Sequence, residues 1–173
     1  MMDTQLVLTG FLKRAARYFP NKQIISRTSP TMTHRIPFKD YVKRTHRLAD
    51  ALTKLGMTRG TKVGTFAWNH HRHLEAYFAI PCSGAILHTI NIRLAPEHII
   101  YIINHAQDEI LLIDGDLFPL VEPALAHLKS VKHIIVMSDD KTAPESSFPN
   151  VYSYEQLLEE ADENFVFPDD LDE

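Results

Sequence analysis

Residues 60–94 constrain the fold more than any other stretch, because their apolar pattern is that of one strand–helix–strand unit. Residues 62–68 form a short apolar run rich in strand formers, and after His71 the apolar residues recur at helical spacing. Gly84 is placed to end that helix. Residues 85–91 (AILHTIN) predict a second strand, buried on both faces and therefore central in its sheet. Strands joined by such a crossover are parallel, so this stretch predicts a parallel sheet.

The rest of the chain continues the alternation of strands and helices. Such alternation predicts an α/β fold with a doubly wound, mainly parallel sheet flanked by helices. Ser29 and Pro30 predict a turn between the first two strands. We predict helices over 4–19, 38–55, 97–106, 117–128 and 154–161, and strands over 23–28, 33–36, 109–114 and 133–138.

The same spacing predicts which surfaces are buried. The helix over 97–106 carries four isoleucines on more than one face, so we expect it to be packed on both sides. The terminal stretch 165–173 (FVFPDDLDE) has no predicted packing partner. Four basic residues lie largely off the apolar stripe of the second helix and are expected in solvent: Lys39, Arg44, Arg47 and Lys54.

Charge and cysteine usage exclude several classes of protein. The 173 residues carry a formal net charge of −4, which argues against general nucleic-acid binding, since phosphate contacts need clustered cations. Cys82 is the single cysteine, so no intramolecular disulfide can form. No apolar run approaches the ~20 residues of a membrane span, and the N-terminus lacks a basic signal region. A cytoplasmic location is therefore expected.

Ligands of doubly wound sheets bind outside the carboxyl ends of the strands. Here those ends are predicted at 68–69, 89–93, 114–116 and 138–140. None carries the glycine-rich turn that brings backbone amides to a phosphate, and two of the four are acidic. These residues by themselves predict no nucleotide site.

Two features follow the first strand of the central unit. His70, His71 and His73 could ligate a metal, but no Cys or carboxylate completes a standard set, so a solvated helix start is favoured. Asn69 could contact a ligand at the sheet edge, but helix capping is the favoured explanation.

Acidic and basic residues near other strand ends have similar alternatives. Asp114 and Asp116 could hold Mg²⁺, although acidic residues before a helix are common. Arg93 could contact an anionic substrate or a coenzyme A phosphate, and the simpler interpretation is an ion pair with Glu97 or Asp108.

The remaining candidates are favoured as structural residues. His88 lies within a predicted strand, where a hydrogen-bonded core histidine is more common than a substrate contact. Cys82 has no adjacent base, so packing is favoured over nucleophilic catalysis. Trp68, Tyr77 and Phe78 are predicted as core aromatics.

Four segments between about Met32 and Asp139 carry a family likeness: RLADALTKLG, KVGTFAWN, HLEAYFAIPCSGAILHTINIRL and PEHIIYIINHAQDEILLID. Together they resemble the N-terminal region of acyl-CoA synthetases of the adenylate-forming superfamily, above all medium- and long-chain fatty-acid CoA ligases. The resemblance implies a fatty-acid substrate, with ATP, Mg²⁺ and coenzyme A used by the full-length enzyme. In that family a carboxylic acid reacts with ATP to give an acyl-adenylate and pyrophosphate, and the thiol of coenzyme A then forms the thioester.

The phosphate loop and catalytic lysine of the resembled family lie later in its chains and have no counterpart here. The resemblance therefore assigns no catalytic, cofactor-binding or metal-binding residue, and this chain alone is expected to be inactive. We expect 1–173 to be the N-terminal portion of an AMP-dependent ligase large domain, with a helical extension at 1–20 and a loop, short helix and acidic tail at 139–173. A homo-oligomer is also expected, with 4–19 as the contact. The alternative is a free-standing α/β module for binding or oligomerisation.

Overall fold

The computed structural model describes residues 5–28 and 31–172. The helices are α1 (Thr9–Tyr18), α2 (Phe38–Lys54), α3 (His71–Cys82), α4 (Pro96–Ala106), α5 (Phe118–Val121) and α6 (Tyr154–Glu159), with a 3₁₀ helix over Glu122–His127. The strands are β1 (Gln23–Arg27), β2 (Thr33–Pro37), β3 (Lys62–Phe66), β4 (Ile86–Thr89), β5 (Ile110–Asp114), β6 (His133–Met137) and β7 (Val151–Ser153). Thr4 and the Ser29-Pro30 turn lie outside the described residues.

Five parallel strands form the main sheet, in the order β4-β3-β5-β6-β7. Strands β1 and β2 form a separate antiparallel hairpin. Helices α2, α3 and α6 pack on one face of the main sheet, and α4 and α5 pack on the other. The predicted α/β class with a doubly wound parallel sheet is confirmed.

Strand β5 shows how the sequence builds the two cores. All five of its residues are buried, so its apolar run is continuous instead of alternating. Ile110 and Leu112 face α2 and α3, whereas Leu111 and Ile113 face α4 and α5. Successive side chains of a strand point to opposite faces, so one strand supplies both cores.

Strand β4 lies at the edge of the sheet, so its predicted central position is wrong. Ile86 is 50% exposed, whereas Ala85 and Ile90, just outside the strand, are buried. The chain leaves β4 and crosses to the other side of β3, where β5 pairs. An apolar run therefore predicted the strand but not which neighbours it would have.

The end of the chain is better packed than its composition indicated. Phe165 and Phe167 pack against the core around α2, and the backbone carbonyl of Phe165 accepts a hydrogen bond from His46 at 2.6 Å. The prediction that residues 165–173 lack a packing partner is therefore wrong.

Strand β7, which pairs with β6 at the opposite edge from β4, was not predicted, since three residues in a polar region carry little strand signal.

Helix α4 is less buried than predicted, and α1 buries little of its apolar stripe. In α4, Ile99 and Ile103 face the sheet, but Tyr101 is 65% exposed, so the helix is packed on one side within the described residues. In α1, Leu12 is buried and Phe11 is 64% exposed. No helix among residues 5–28 and 31–172 has the length and apolar character needed to span a membrane.

Candidate functional site

The candidate site is an open cleft of about 1230 Å³ at the carboxyl ends of β3, β5 and β6. After β3 the chain turns to β4 on one side, and β5 lies on the other, so the strand order reverses here. Ligands of open parallel sheets bind at this point. The lining residues used below are Trp68, Asn69, His70, Arg72, Asp114, Asp116, Asp139 and Lys141, with Arg27, Thr28 and Met32 of the hairpin.

Asp114 and Asp116 join the ends of β3 and β5. One carboxylate oxygen of Asp114 accepts the backbone N–H of Trp68 at 2.7 Å, and the other lies 2.7 Å from Nε2 of His70. Asp116 accepts a hydrogen bond from the indole nitrogen of Trp68 at 3.0 Å. Both oxygens of Asp114 are thus occupied. In the part of the chain that the structure describes, no group of three or more His, Cys, Asp or Glu residues could hold a metal ion.

His70 is the N-cap of α3. Its Nδ1 accepts from the backbone N–H groups of Arg72 at 3.2 Å and His73 at 3.3 Å. An accepting Nδ1 leaves Nε2 to donate its hydrogen to Asp114. The predicted cap, Asn69, is wrong: its side chain is exposed at the cleft. The hydrogen bond from His70 therefore links the start of α3 to the end of β5.

His71 and His73 are buried, so the predicted solvated helix start is wrong. The His71 ring stacks on His34 with centroids 3.9 Å apart, and burial, with nearby positive charge from Arg72, lowers the pKa of His71 to about 2. His73 lies 3.0 Å from Oγ1 of Thr65, and burial lowers its pKa as well. The imidazoles face different partners and do not converge on a metal.

Arg72 reaches from α3 into the cleft wall between two acidic residues. Its Nε donates to Glu155 at 2.7 Å, and its Nη2 donates to Asp139 at 2.5 Å. The arginine side chain is 8% exposed. Because both of these carboxylates already accept from it, Arg72 is not available to bind a substrate anion in this arrangement.

A second arginine completes a buried charge network behind the cleft wall. Arg44 donates to Glu75 at 2.7 Å and to Glu155 at 2.8 Å, so its predicted position in solvent is wrong. Burial raises the pKa of Glu75 despite Arg44 and a 2.5 Å hydrogen bond from Tyr154. Burial also acts to raise the pKa of Glu155, but Arg44 and Arg72 outweigh it and lower that pKa to about 2. The network ties α2, α3 and α6 together.

The other sequence candidates lie outside the cleft. His88 pairs with the buried Asp108 at 2.8 Å, as a hydrogen-bonded structural histidine. Arg93 is exposed, and the predicted ion pair with Asp108 or Glu97 is absent from the described part of the chain. Cys82 is buried, and burial raises the pKa of its thiol to about 12, which agrees with a packing role.

The aromatic residues divide between surface and core. Trp68 is 48% exposed at the cleft and Tyr77 is 41% exposed, so both are wrongly predicted as core residues. Phe78 is half-buried and packs with the small core that includes Tyr41.

The cleft is suited to contain a ligand rather than to perform acid–base or phosphate chemistry. Arg72 is paired with Asp139 and Glu155, Lys141 is paired with Glu159, and acidic side chains follow the strands. Such a surface does not fit the phosphates of ATP, which need converging N–H groups or unpaired cations. Two features were missed from sequence: the hairpin residues that line the cleft, and the pairing of Arg72 in its wall with Glu155. Glu75 is the single charged residue of the run 74–82, and this isolated carboxylate was the available sign that cations from other elements would converge there.

Comparison with known proteins places the chain in one family. Residues 12–171 match the family model described as AMP-binding enzyme. The long-chain-fatty-acid–CoA ligase of Thermus thermophilus is 47% identical over 163 residues, which are 94% of this chain and 29% of that protein. The medium-chain-fatty-acid–CoA ligase of Ectopseudomonas oleovorans is 36% identical over 169 residues, which are 98% of this chain and 31% of that protein. The chain thus spans about 30% of these relatives' length.

Solved structures agree on the fold. The crystal structure of the anthranilate CoA ligase AuaEII in complex with anthranoyl-AMP matches with a TM-score of 0.82 and 20% identity, covering 96% of this chain and 30% of that chain. A crystal structure described as a putative long-chain-fatty-acid CoA ligase from Rhodopseudomonas palustris matches with a TM-score of 0.78 and 23% identity, covering 95% of this chain and 39% of that chain.

Proposed function

Because the chain belongs to the family of AMP-binding enzymes and is homologous to fatty-acid CoA ligases, we propose that it is the N-terminal portion of the large domain of such a ligase. The observation that carries the proposal is the 47% identity to a long-chain-fatty-acid–CoA ligase over 94% of this chain. The whole enzyme would use ATP, Mg²⁺ and coenzyme A to convert a fatty acid, through an acyl-adenylate, into its coenzyme A thioester.

Within that enzyme this chain supplies binding surface and support, and the phosphate chemistry falls to residues it does not contain. The charged residues of the cleft favour this division, because Asp114 and Arg72 are already hydrogen-bonded to neighbouring residues. The proposed part-domain comprises all 173 residues, with a helical extension at 1–20 and a loop, short helix and acidic tail at 139–173.

The isolated chain is proposed to be inactive, since preorganised phosphate contacts are needed and losing one such donor alone costs about 3 kcal/mol in barrier. Pyrophosphate release is measured with ATP, coenzyme A and a panel of short- to long-chain fatty acids. The 173-residue chain is compared with the same protein extended to its relatives' length. We expect turnover only from the extended protein. Turnover by the short chain that survives purification would refute its inactivity, and an extended protein inactive on every acid would refute the ligase proposal.

A homo-oligomer and a cytoplasmic location stay predictions. Light scattering over a dilution series tests the first, and a monomer at every concentration would contradict it. The predicted contact through 4–19 is disfavoured on charge grounds, because α1 is basic and two copies meeting there would repel. Cell fractionation tests the location.

A further inference from the structure

A second pocket, of about 570 Å³, lies between α1, α2 and residues 163–171, which we call the terminal segment. It shares no lining residue with the cleft at the strand ends. Its volume falls within the range of about 300–1,000 Å³ that is usual for small-molecule sites. The pocket is therefore separate from the candidate site described above.

The terminal segment is anchored near each of its ends. Glu163 accepts a hydrogen bond from Arg47 of α2 at 2.8 Å. Arg59 donates to Asp170 at 2.9 Å. The wall that this segment forms is thus tied to the rest of the fold on both sides of the pocket.

The lining of the pocket is mainly apolar. Phe165 and Phe167 both line it, with ring centroids 5.5 Å apart, whereas Val166 between them is 84% exposed. Leu12 of α1 and Val42 of α2 contribute the facing walls. Such a lining suits a hydrocarbon chain, because the polar groups of a sugar or a nucleotide would lose their hydrogen bonds to water there.

Positive charge lies on the α1 side of the pocket. Lys13 lines the pocket, is exposed, and makes no salt bridge within residues 5–28 and 31–172. Helix α1 also begins without a side-chain cap and without an acidic residue in its first turn, so the positive end of its dipole is uncompensated. Thr9, the first residue of α1, lines the pocket as well.

Two acidic residues of the terminal segment also line this pocket, and they restrict where an anion can lie. Glu163 is already paired with Lys43 and Arg47, whereas Asp169 is exposed and keeps its charge. A ligand with one negative group would therefore place that group beside Lys13 and the start of α1, away from Asp169.

We infer that this pocket binds a fatty acid, with its chain between α1 and the terminal segment and its carboxylate beside Lys13. One cation next to an apolar enclosure matches a ligand with one anionic group and a long chain. The choice of a fatty acid among such ligands rests on the proposed function, in which a fatty acid is the substrate. The pocket is then a second acyl site, separate from the one where the thioester forms.

Calorimetric titration of the 173-residue chain with dodecanoic acid tests the inference at neutral pH, where the carboxyl group is ionised. Dodecan-1-ol is the uncharged comparison. We expect one molecule of acid to bind per chain, and the alcohol to bind about threefold more weakly, as the loss of an exposed ion pair predicts. A chain that binds no acid, or that binds acid and alcohol equally, would overturn the proposal.

Two pairs of variants locate the ligand. Ala16→Phe should weaken binding of the acid at least about tenfold, because the ring would fill part of the pocket. Ala15→Phe is its control, since Ala15 is half-buried in the same helix but does not line the pocket. Lys13→Gln should weaken binding of the acid about threefold and leave the alcohol unaffected. Lys22→Gln removes the same charge at an exposed residue outside the pocket and should change neither.

Circular dichroism checks that all four variants keep the wild-type fold. Equal losses of affinity within either pair, in folded proteins, would contradict the placement of the ligand in this pocket.

The protein extended to its relatives' length separates this inference from the proposed function. It should bind two molecules of dodecanoic acid, one of which is lost in Ala16→Phe. An extended protein that activates fatty acids but binds only one molecule, with or without the Ala16→Phe change, would overturn the second site alone, because the rest of the protein would then cover it. An extended protein that is inactive on every acid but loses a bound molecule in Ala16→Phe would refute the ligase proposal and leave the pocket as a fatty-acid site.

Discussion

Asp114 holds His70 at the switch point of the sheet: a carboxylate oxygen at the end of β5 lies 2.7 Å from the imidazole nitrogen at the start of α3. The other oxygen accepts the backbone N–H of Trp68. One side chain thus fixes the strand end and the helix start that form one side of the cleft.

Asp114→Asn is expected to destabilise the protein by about 1–3 kcal/mol, since an amide offers one acceptor oxygen where two donors converge. Urea unfolding measures the loss, and Trp68, the single tryptophan, reports any opening of the cleft as a fluorescence shift. Asp140→Asn is the control: Asp140 is exposed beside the same cleft and should change stability by no more than about 0.5 kcal/mol. Equal effects of the two changes would contradict the role given to Asp114.

Arg44→Ala is expected to cost about 3–5 kcal/mol, because it leaves the fully buried carboxylate of Glu75 without its cation. Lys43→Ala is the control at the neighbouring residue. Lys43 and its partner Glu163 are both accessible to solvent, and the loss of such a pair is expected to cost about 0–1 kcal/mol. Thermal or chemical unfolding of the two variants gives the comparison. A mild effect at Arg44 would mean that Tyr154 and solvent satisfy Glu75 unaided.

Stability should fall on mild acidification because of His71. In the unfolded chain a histidine gains a proton below about pH 6.5, whereas burial keeps native His71 neutral down to a pKa of about 2. The unfolded state therefore holds more protons in this window, and unfolding becomes easier as the pH falls.

The expected loss from His71 is about 1 kcal/mol per pH unit between about pH 6 and pH 4.5. Glu155 acts at lower pH: its pKa is lowered to about 2, so its contribution is complete above about 4.5 and is lost as the pH falls further. Unfolding free energies of wild type and His71→Asn, measured from pH 7.5 downward in steps, should separate the two windows. Parallel curves for both proteins above about pH 4.5 would rule out His71 as the source.

Gly64 in β3 permits two side chains, from β5 and from the residues just before it, to approach the strand closely. An added Cβ would lie 2.8 Å from Cδ1 of Leu111 and 3.0 Å from Oδ2 of Asp108. We expect Gly64→Ala to destabilise the protein by about 1–3 kcal/mol through overpacking. Gly10→Ala should stabilise it by up to about 1 kcal/mol, since Gly10 is in α1 with nothing within 4 Å of the added atom. Chemical unfolding of both variants tests the pair, and a Gly64→Ala variant as stable as wild type would show that β3 can move aside.

The fold class was predictable because its main signal is local. The apolar runs of β5 and β6 and the helical spacing of α2 each specify an element without reference to the rest of the chain. The family was equally accessible, since two of the four segments that carry it lie within residues 60–94 and the other two adjoin that unit. The edge position of β4 was not predictable from sequence, because the identity of a strand's neighbours depends on the path of the chain after it.

The candidate site was predicted only in part, for a physical reason. Asp114 and Asp116 were placed correctly at a strand end, but their partner Trp68 was expected in the core. The network around Glu75 was missed altogether, because Arg44 and Tyr154 reach it from helices distant in sequence. Periodicity weighs one helix at a time, so a polar residue buried by partners from two other helices looks solvated.

The position of Glu75 between distant partners also has a consequence for synthesis. Arg44 precedes Glu75 by 31 residues, whereas Tyr154 follows it by 79. At about 5–20 residues per second, translation needs roughly 4–16 s to reach Tyr154. During that interval α2 and α3 can pair, but the carboxylate lacks its third contact and the arginines lack Glu155. The charge network among α2, α3 and α6 is therefore complete only after α6 has left the ribosome. A translational pause before α6 would prolong the period in which a chaperone can bind the incompletely packed α2 and α3.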